Sequence, residues 1–342
     1  MTFSLRVVHY RLSELPDEIK HIFLKTHLLA NVEEYRTKDS LSVGLFSVEE
    51  EITPLMKEGS VIWATETHGH KFFDKVSISD FDTIVPRIKK SKEIQKARTK
   101  DKAEVFTPTW LCNMQNNLGD DVRCGKNFFN TPDYENQTWE PTPSPLDFGE
   151  NHDLDSGKYV IDKVIEMTCG EGPYLVSPYD TSTGESIPVR DEDGRFRRIG
   201  LLDRKLRVVA ENVHERKEWD SYVWGAYSST YGYEWQGDNL LLARLNLLNT
   251  YREYFHDKWG ELPTLEDMLP IAEVISFNIW QMDGLKAITP ESCTDNCVAC
   301  KKKIGLHDGD LPVIKWGPRW ENWRPFEEMM KEFLLGTQFP KK

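Results

Sequence analysis

Residues 159–172 read YVIDKVIEMTCGEG. An apolar run rich in β-branched residues closes on a turn with two glycines, which is how a buried strand ends in an open α/β sheet. Working outward, residues 230–234 (TYGYE) read as a second short strand and residues 279–282 (IWQM) as a third. The stretches between them have helical periodicity. Residues 202–213 are apolar on one face, residues 237–255 carry Leu241, Leu245, Leu248 and Tyr251 on one side, and residues 265–277 are again helical. Strand and helix in strict alternation predict an α/β fold, a parallel sheet with helices on both faces.

The composition agrees. In a chain of 342 residues, 39% hydrophobic and 29% charged residues permit a sizeable core and exclude wholesale disorder. Lys and Arg number 43 against 56 Asp and Glu, a net charge of −13, which excludes uniform coating of nucleic acid or an anionic membrane and leaves room for a local basic face. No apolar run approaches the roughly 20 residues of a membrane span. The opening MTFSLRVVHYRL alternates like a strand and lacks the apolar core of a signal peptide. A soluble, cytoplasmic protein with no membrane partner is expected, its six cysteines reduced.

Two regions are expected. Residues 1–90 read as a small α+β domain, with strands at 7–12 and 60–65 and a helix at 17–30 that places Ile19, Ile22, Phe23 and Leu28 inward. Residues 91–342 hold the alternating pattern. Across the boundary, residues 87–102 (RIKKSKEIQKARTKDK) contain eight basic and two acidic side chains. They are either a solvated helix face or a stripe that contacts phosphates. Residues 131–145 (TPDYENQTWEPTPSP) have the composition of a loop.

Chemistry concentrates at the strand ends. Glu166 opens EMTCGEG, whose glycines let backbone N–H groups approach a ligand; Glu234 closes TYGYE, where an acid can take ribose hydroxyls; Asp283 follows IWQM, suited to an adenine amine. Each acid taken singly is more often solvated or capping. Separately, Cys293, Cys297, Cys300 and His307 have the ligand types and spacing of a tetrahedral zinc in an insertion over 293–307, with reduced surface thiols as the alternative.

With these motifs in place, the chain resembles the adenine-specific DNA methyltransferases, in particular modification subunits of restriction–modification systems. VFTP at 105–108, then EMTCGEG, YGYE with a Leu-rich helix, and WQMDG fall in that family's order and cover about 92–317. The resemblance implies a Rossmann-like class I S-adenosylmethionine-dependent methyltransferase domain with a small N-terminal α+β addition. It also implies cofactor contacts from Phe106, Thr107, Pro108, Glu166, Thr168, Gly170 and Gly172 to the methionine part, from Glu234 to the ribose and from Asp283 to the adenine. DNA and a partner subunit are the implied partners. Three departures stand out. Glu166 replaces the family's Asp. About 50 residues, 179–228, separate the first two strands and are expected to add a hairpin and a helix. The family's Asn/Asp-Pro-Pro-Tyr/Phe, which grips the flipped adenine, is missing; its nearest counterpart is Gly317-Pro-Arg-Trp320. The expected function is therefore DNA adenine methylation, or else a methyltransferase-like protein that binds cofactor or DNA without transfer, as half of a split enzyme or a regulator of restriction.

Overall fold

The structure, a computed structural model, describes residues 9–29, 56–63, 75–102, 104–148 and 156–282. In chain order its elements are α1 (Asp17–Leu24), β1 (Lys25–Leu29), β2 (Met56–Ser60), α2 (Lys92–Lys102), α3 (Thr109–Cys124), β3 (Asn130–Asp133), β4 (Thr138–Pro141), α4 (Ser156–Ile161), β5 (Val164–Met167), α5 (Leu201–Asn212), α6 (Arg216–Ser228), β6 (Thr230–Glu234), α7 (Gly237–Trp259), α8 (Leu265–Asn278) and β7 (Ile279–Gln281). The chain is mixed α/β, as its alternation predicts.

Strands β5, β6 and β7 form a parallel sheet in that spatial order, with Val164 opposite Thr230 and Gly232 opposite Ile279. Each crossover is a helix pair, α5–α6 and then α7–α8. Parallel strands joined by helices point the same way, so all three carboxyl ends lie at one edge. The middle strand β6 is buried at every residue, covered on both faces as a central parallel strand is. Helix α7 is buried on all sides, not on one. Its Arg244 is fully enclosed and donates to the backbone carbonyls of Phe23, Lys25, Ser276 and Ile279. One side chain thus fastens the start of the chain to the start of β7. Leu12, Leu15, Ile19, Phe23, Val61 and Val76 belong to the same core as Leu202, Leu241, Ile275 and Ile279.

Several local expectations change. The helix foreseen over 17–30 stops at Leu24, and Lys25–Leu29 pairs antiparallel with Met56–Ser60. Residues 9–11 form no strand; a short 3-10 turn, Leu12–Glu14, follows instead. Beyond Ser60, Ile62 makes an isolated bridge to Lys75. The apolar run from Tyr159 divides at the polar pair Asp162-Lys163, helix α4 before it and β5 after. Short apolar runs satisfy either period, and pairing partners far along the chain decide between them. The Pro-rich 131–145 stretch is not all loop, because β3 and β4 pair as a hairpin whose Trp139 Nε1 donates to Arg197 O at 2.9 Å. The long 179–228 segment does contribute hairpin-like bridges, Tyr179 to Ser186 and Arg190 to Phe196, followed by α5 and α6. Among the described residues, no helix is long and apolar enough to cross a membrane.

Candidate functional site

The site is built where β5 and β6 end. After Met167 the backbone enters the left-handed region at alternate residues, with φ of 62° at Thr168, 55° at Gly170 and 81° at Gly172. Glycine adopts this at little cost, whereas Thr168 holds a conformation worth roughly 1–3 kcal/mol of strain, the kind that collects at functional turns. The turn is tied down from β6: the Cys169 N–H donates to Tyr233 O at 2.6 Å and the Gly170 N–H to Glu234 Oε2 at 2.7 Å. The other oxygen of Glu234 accepts the Gln236 N–H at 2.8 Å. Glu234 is buried, and burial pushes its carboxyl up to about 7, against the pull of those two amides.

Glu166 lies within β5, opposite Gly232. The residue as a whole is half-buried, yet its Oε2 is shielded from solvent and has no hydrogen-bond partner. Burial first, then the charge of Glu234, holds this carboxyl well above the ordinary range, although the Tyr174 and Leu175 amides draw it down. Its field reaches the Cys112 thiol and the Tyr174 phenol, so it sits toward the segment that leads into α3.

That segment carries Phe106, Thr107 and Pro108. The Phe106 ring comes within 3.5 Å of where a Cβ on Gly170 would stand. Thr107 O accepts the Thr181 hydroxyl at 3.2 Å, and Pro108 precedes α3, whose Thr109 N–H donates to Asp180 Oδ2 at 2.7 Å. Residues 106–108, 166–172 and 234, far apart in the chain, therefore converge at one sheet edge. Asp283 and the quartet Cys293, Cys297, Cys300 and His307 lie outside the described residues. Among the described residues no group of three or more His, Cys, Asp or Glu is placed to hold a metal ion.

Sequence reasoning missed the acids that frame this edge. Glu171, buried, accepts the Arg87 N–H at 2.6 Å and the Tyr179 hydroxyl at 2.5 Å. Asn246 on α7 donates to Glu171 O at 2.9 Å and meets the Tyr179 hydroxyl at 3.1 Å. Glu104 is buried against Arg98 and Arg87. Asp238 pairs with Lys90 and Arg98, both at 2.9 Å, and despite burial these two cations hold its carboxyl below the ordinary range. The signal was present but misassigned: three members of the basic 87–102 stretch are partners for these acids. Chemically, the edge offers one carboxyl oxygen without a partner, an acid already oriented by two amides, and a glycine turn against an aromatic ring. That suits a cationic, hydroxyl-bearing ligand. Comparison of the chain with protein-family models, curated proteins and solved structures returns no match.

Proposed function

We propose that this chain is an S-adenosylmethionine-dependent DNA adenine methyltransferase, or a modification-subunit-like protein of that kind, on a Rossmann-like domain. The observation that carries the reading is Glu166 Oε2, shielded and without a partner. A buried carboxylate costs several kcal/mol unless a cation or donor satisfies it. The α-ammonium of S-adenosylmethionine is such a cation, and Phe106 and Glu234 both meet Gly170, four residues beyond Glu166. In this reading Glu166 and the 168–172 turn hold the amino-acid end, Thr107 and Pro108 flank it, Glu234 takes the ribose, and Asp283 takes the adenine. When bound, S-adenosylmethionine supplies an electrophilic methyl group. The chain's own task is to fix the ligand beside an extruded adenine, because alignment is the larger part of such catalysis.

Calorimetric titration with S-adenosylmethionine tests this. Wild-type protein is expected to bind, and Glu166→Gln or Glu234→Ala to weaken binding by about 1.5–3 kcal/mol, roughly ten- to a hundredfold. No heat with wild-type protein at millimolar cofactor overturns the assignment.

One sequence observation favours a second reading. The base-gripping tetrapeptide is missing, and Gly317-Pro-Arg-Trp320 supplies neither amide nor acid. A chain that binds cofactor but transfers nothing alone would be a split-enzyme half or a regulator of restriction. Radiolabelled methyl incorporation into unmethylated DNA, with and without a partner subunit, separates the two. For Cys293, Cys297, Cys300 and His307, the proposal of a structural zinc predicts about one equivalent in the purified protein by elemental analysis.

A further inference from the structure

Helix α2 sorts its basic residues by side. Toward the protein, Lys90 just before the helix and Arg98 within it pair with Asp238, and Arg98 also pairs with Glu104. Toward solvent, Lys92, Lys96 and Lys100 are exposed, with no acidic partner among the described residues. They recur every four residues, so they form a row along one side of the helix with steps of about 6 Å. Lys89, exposed in the short turn before the helix and without an acidic partner among the described residues, adds a fourth cation. Among the described side chains of this helix the exposed acid is Glu93, too little to neutralise these lysines.

We propose that Lys92, Lys96 and Lys100, with Lys89, form a contact surface for the phosphate backbone of duplex DNA. The proposal rests on the methyltransferase reading for the identity of the nucleic acid. In a chain of net charge −13 an unpaired cationic row is a local exception. Long-range repulsion disfavours a polyanion over an acidic surface, and this row offers it a place of approach. Phosphates follow one another every 3.4 Å of axis along a strand, so lysines spaced by about 6 Å over about 12 Å match three to four successive nucleotides. The row is also rigidly referred to the candidate site. Its helix is anchored to Asp238, at the start of α7 and four residues beyond Glu234, and to Glu104, two residues before Phe106. The Arg87 amide ahead of it binds Glu171 inside the glycine turn. A duplex held on the row would therefore be registered against the sheet edge. The solvent side of α2 offers Ile94 and Ala97 as its apolar residues, not the broad apolar face of a helix that lies in a membrane surface.

The test is fluorescence anisotropy of the full chain with a labelled 30-base-pair duplex across a salt series. The triple variant Lys92→Gln, Lys96→Gln, Lys100→Gln is compared with Lys217→Gln, an exposed lysine on α6. The triple variant should lose at least tenfold in affinity at low salt and about 2.7 from the slope of log affinity against log salt, near 0.9 for each lost phosphate contact. Lys217→Gln should behave as wild type, and all three proteins should bind S-adenosylmethionine equally. An unchanged slope in the triple variant overturns the proposal. So does tighter binding of wild-type protein to anionic vesicles or single-stranded RNA than to the duplex. Cofactor binding without duplex binding removes the lysine row and leaves the cofactor reading standing. Duplex binding with the predicted slope change but no cofactor binding supports the row and removes the cofactor reading.

Discussion

At the scale of single residues, the site is defined by two carboxyls in unequal circumstances. Glu234 is oriented by the Gly170 and Gln236 amides, while Glu166 keeps an oxygen that nothing satisfies. Burial raises both, Glu234 to about 7, so near neutral pH Glu234 passes from its protonated form to the carboxylate that accepts ribose hydroxyls. Affinity for S-adenosylmethionine should therefore rise between pH 6 and pH 8, and Glu234→Gln should flatten that profile; calorimetry at several pH values reads both. For stability the sign is the reverse. A carboxyl whose folded value exceeds its unfolded one stabilises while protonated, and that contribution is lost as pH rises through about 7. Relative to wild type, ligand-free Glu234→Gln should gain stability from pH 5 to pH 8, by up to a few kcal/mol in urea unfolding. Of the candidate residues, Phe106, Gly170 and Glu234 could be named from motif order alone. The unpaired state of Glu166 could not, because it depends on what fails to reach that oxygen in space.

At the scale of elements, helix α7 is the piece around which the rest is assembled. Its start at Gly237 was legible, but it runs four residues beyond the expected end at 255, to Trp259, where Gly260 closes it in the left-handed conformation. Its all-round burial was partly legible, but Arg244 reads in sequence as a solvent-facing charge. In the fold it satisfies carbonyls of α1, β1, α8 and β7 that would otherwise be orphaned. Arg244→Met should therefore destabilise by about 3–5 kcal/mol, seen as a lowered urea midpoint, because several buried acceptors lose their donor together. The helix start is equally constrained. A Cβ on Gly237 would lie 2.2 Å from Ile62 O, so Gly237→Ala must push the N-terminal segment away from the site edge. That variant is expected to lose stability and cofactor affinity together, measured by thermal melting and calorimetry. The secondary structure of 17–29 was misjudged for a related reason. Nothing local stops the helix at Leu24, where pairing with a strand some 30 residues later takes over.

At the scale of the whole molecule, the compositional boundary near residue 90 coexists with a continuous interior. Leu12, Leu15, Ile19 and Phe23 pack with the helices of the parallel sheet, and fully burying each such side chain contributes about 1.5–3 kcal/mol. The described regions are expected to unfold together: tryptophan fluorescence and far-ultraviolet circular dichroism should give coincident urea transitions, and residues 91–342 produced alone should be markedly less stable than the full chain. By itself the sequence determined the α/β class, the three parallel strands in their chain order and the extents of β6 and, to within one residue, α8. It did so because long periodic segments and apolar runs bounded by glycine are local signals that survive any packing. It also determined that Glu234 stands at a strand end, whereas Glu166 lies within β5. Tertiary structure alone decided that Phe106 lies on Gly170, that Glu234 reaches back to the β5 turn, and that Arg87, Lys90 and Arg98 turn inward while Lys92, Lys96 and Lys100 stay in water. A charge is assigned to the inside or the outside of a protein by the partner that meets it, and the decisive partner of Lys90 and Arg98, Asp238, lies some 140 residues away where the local pattern does not reach.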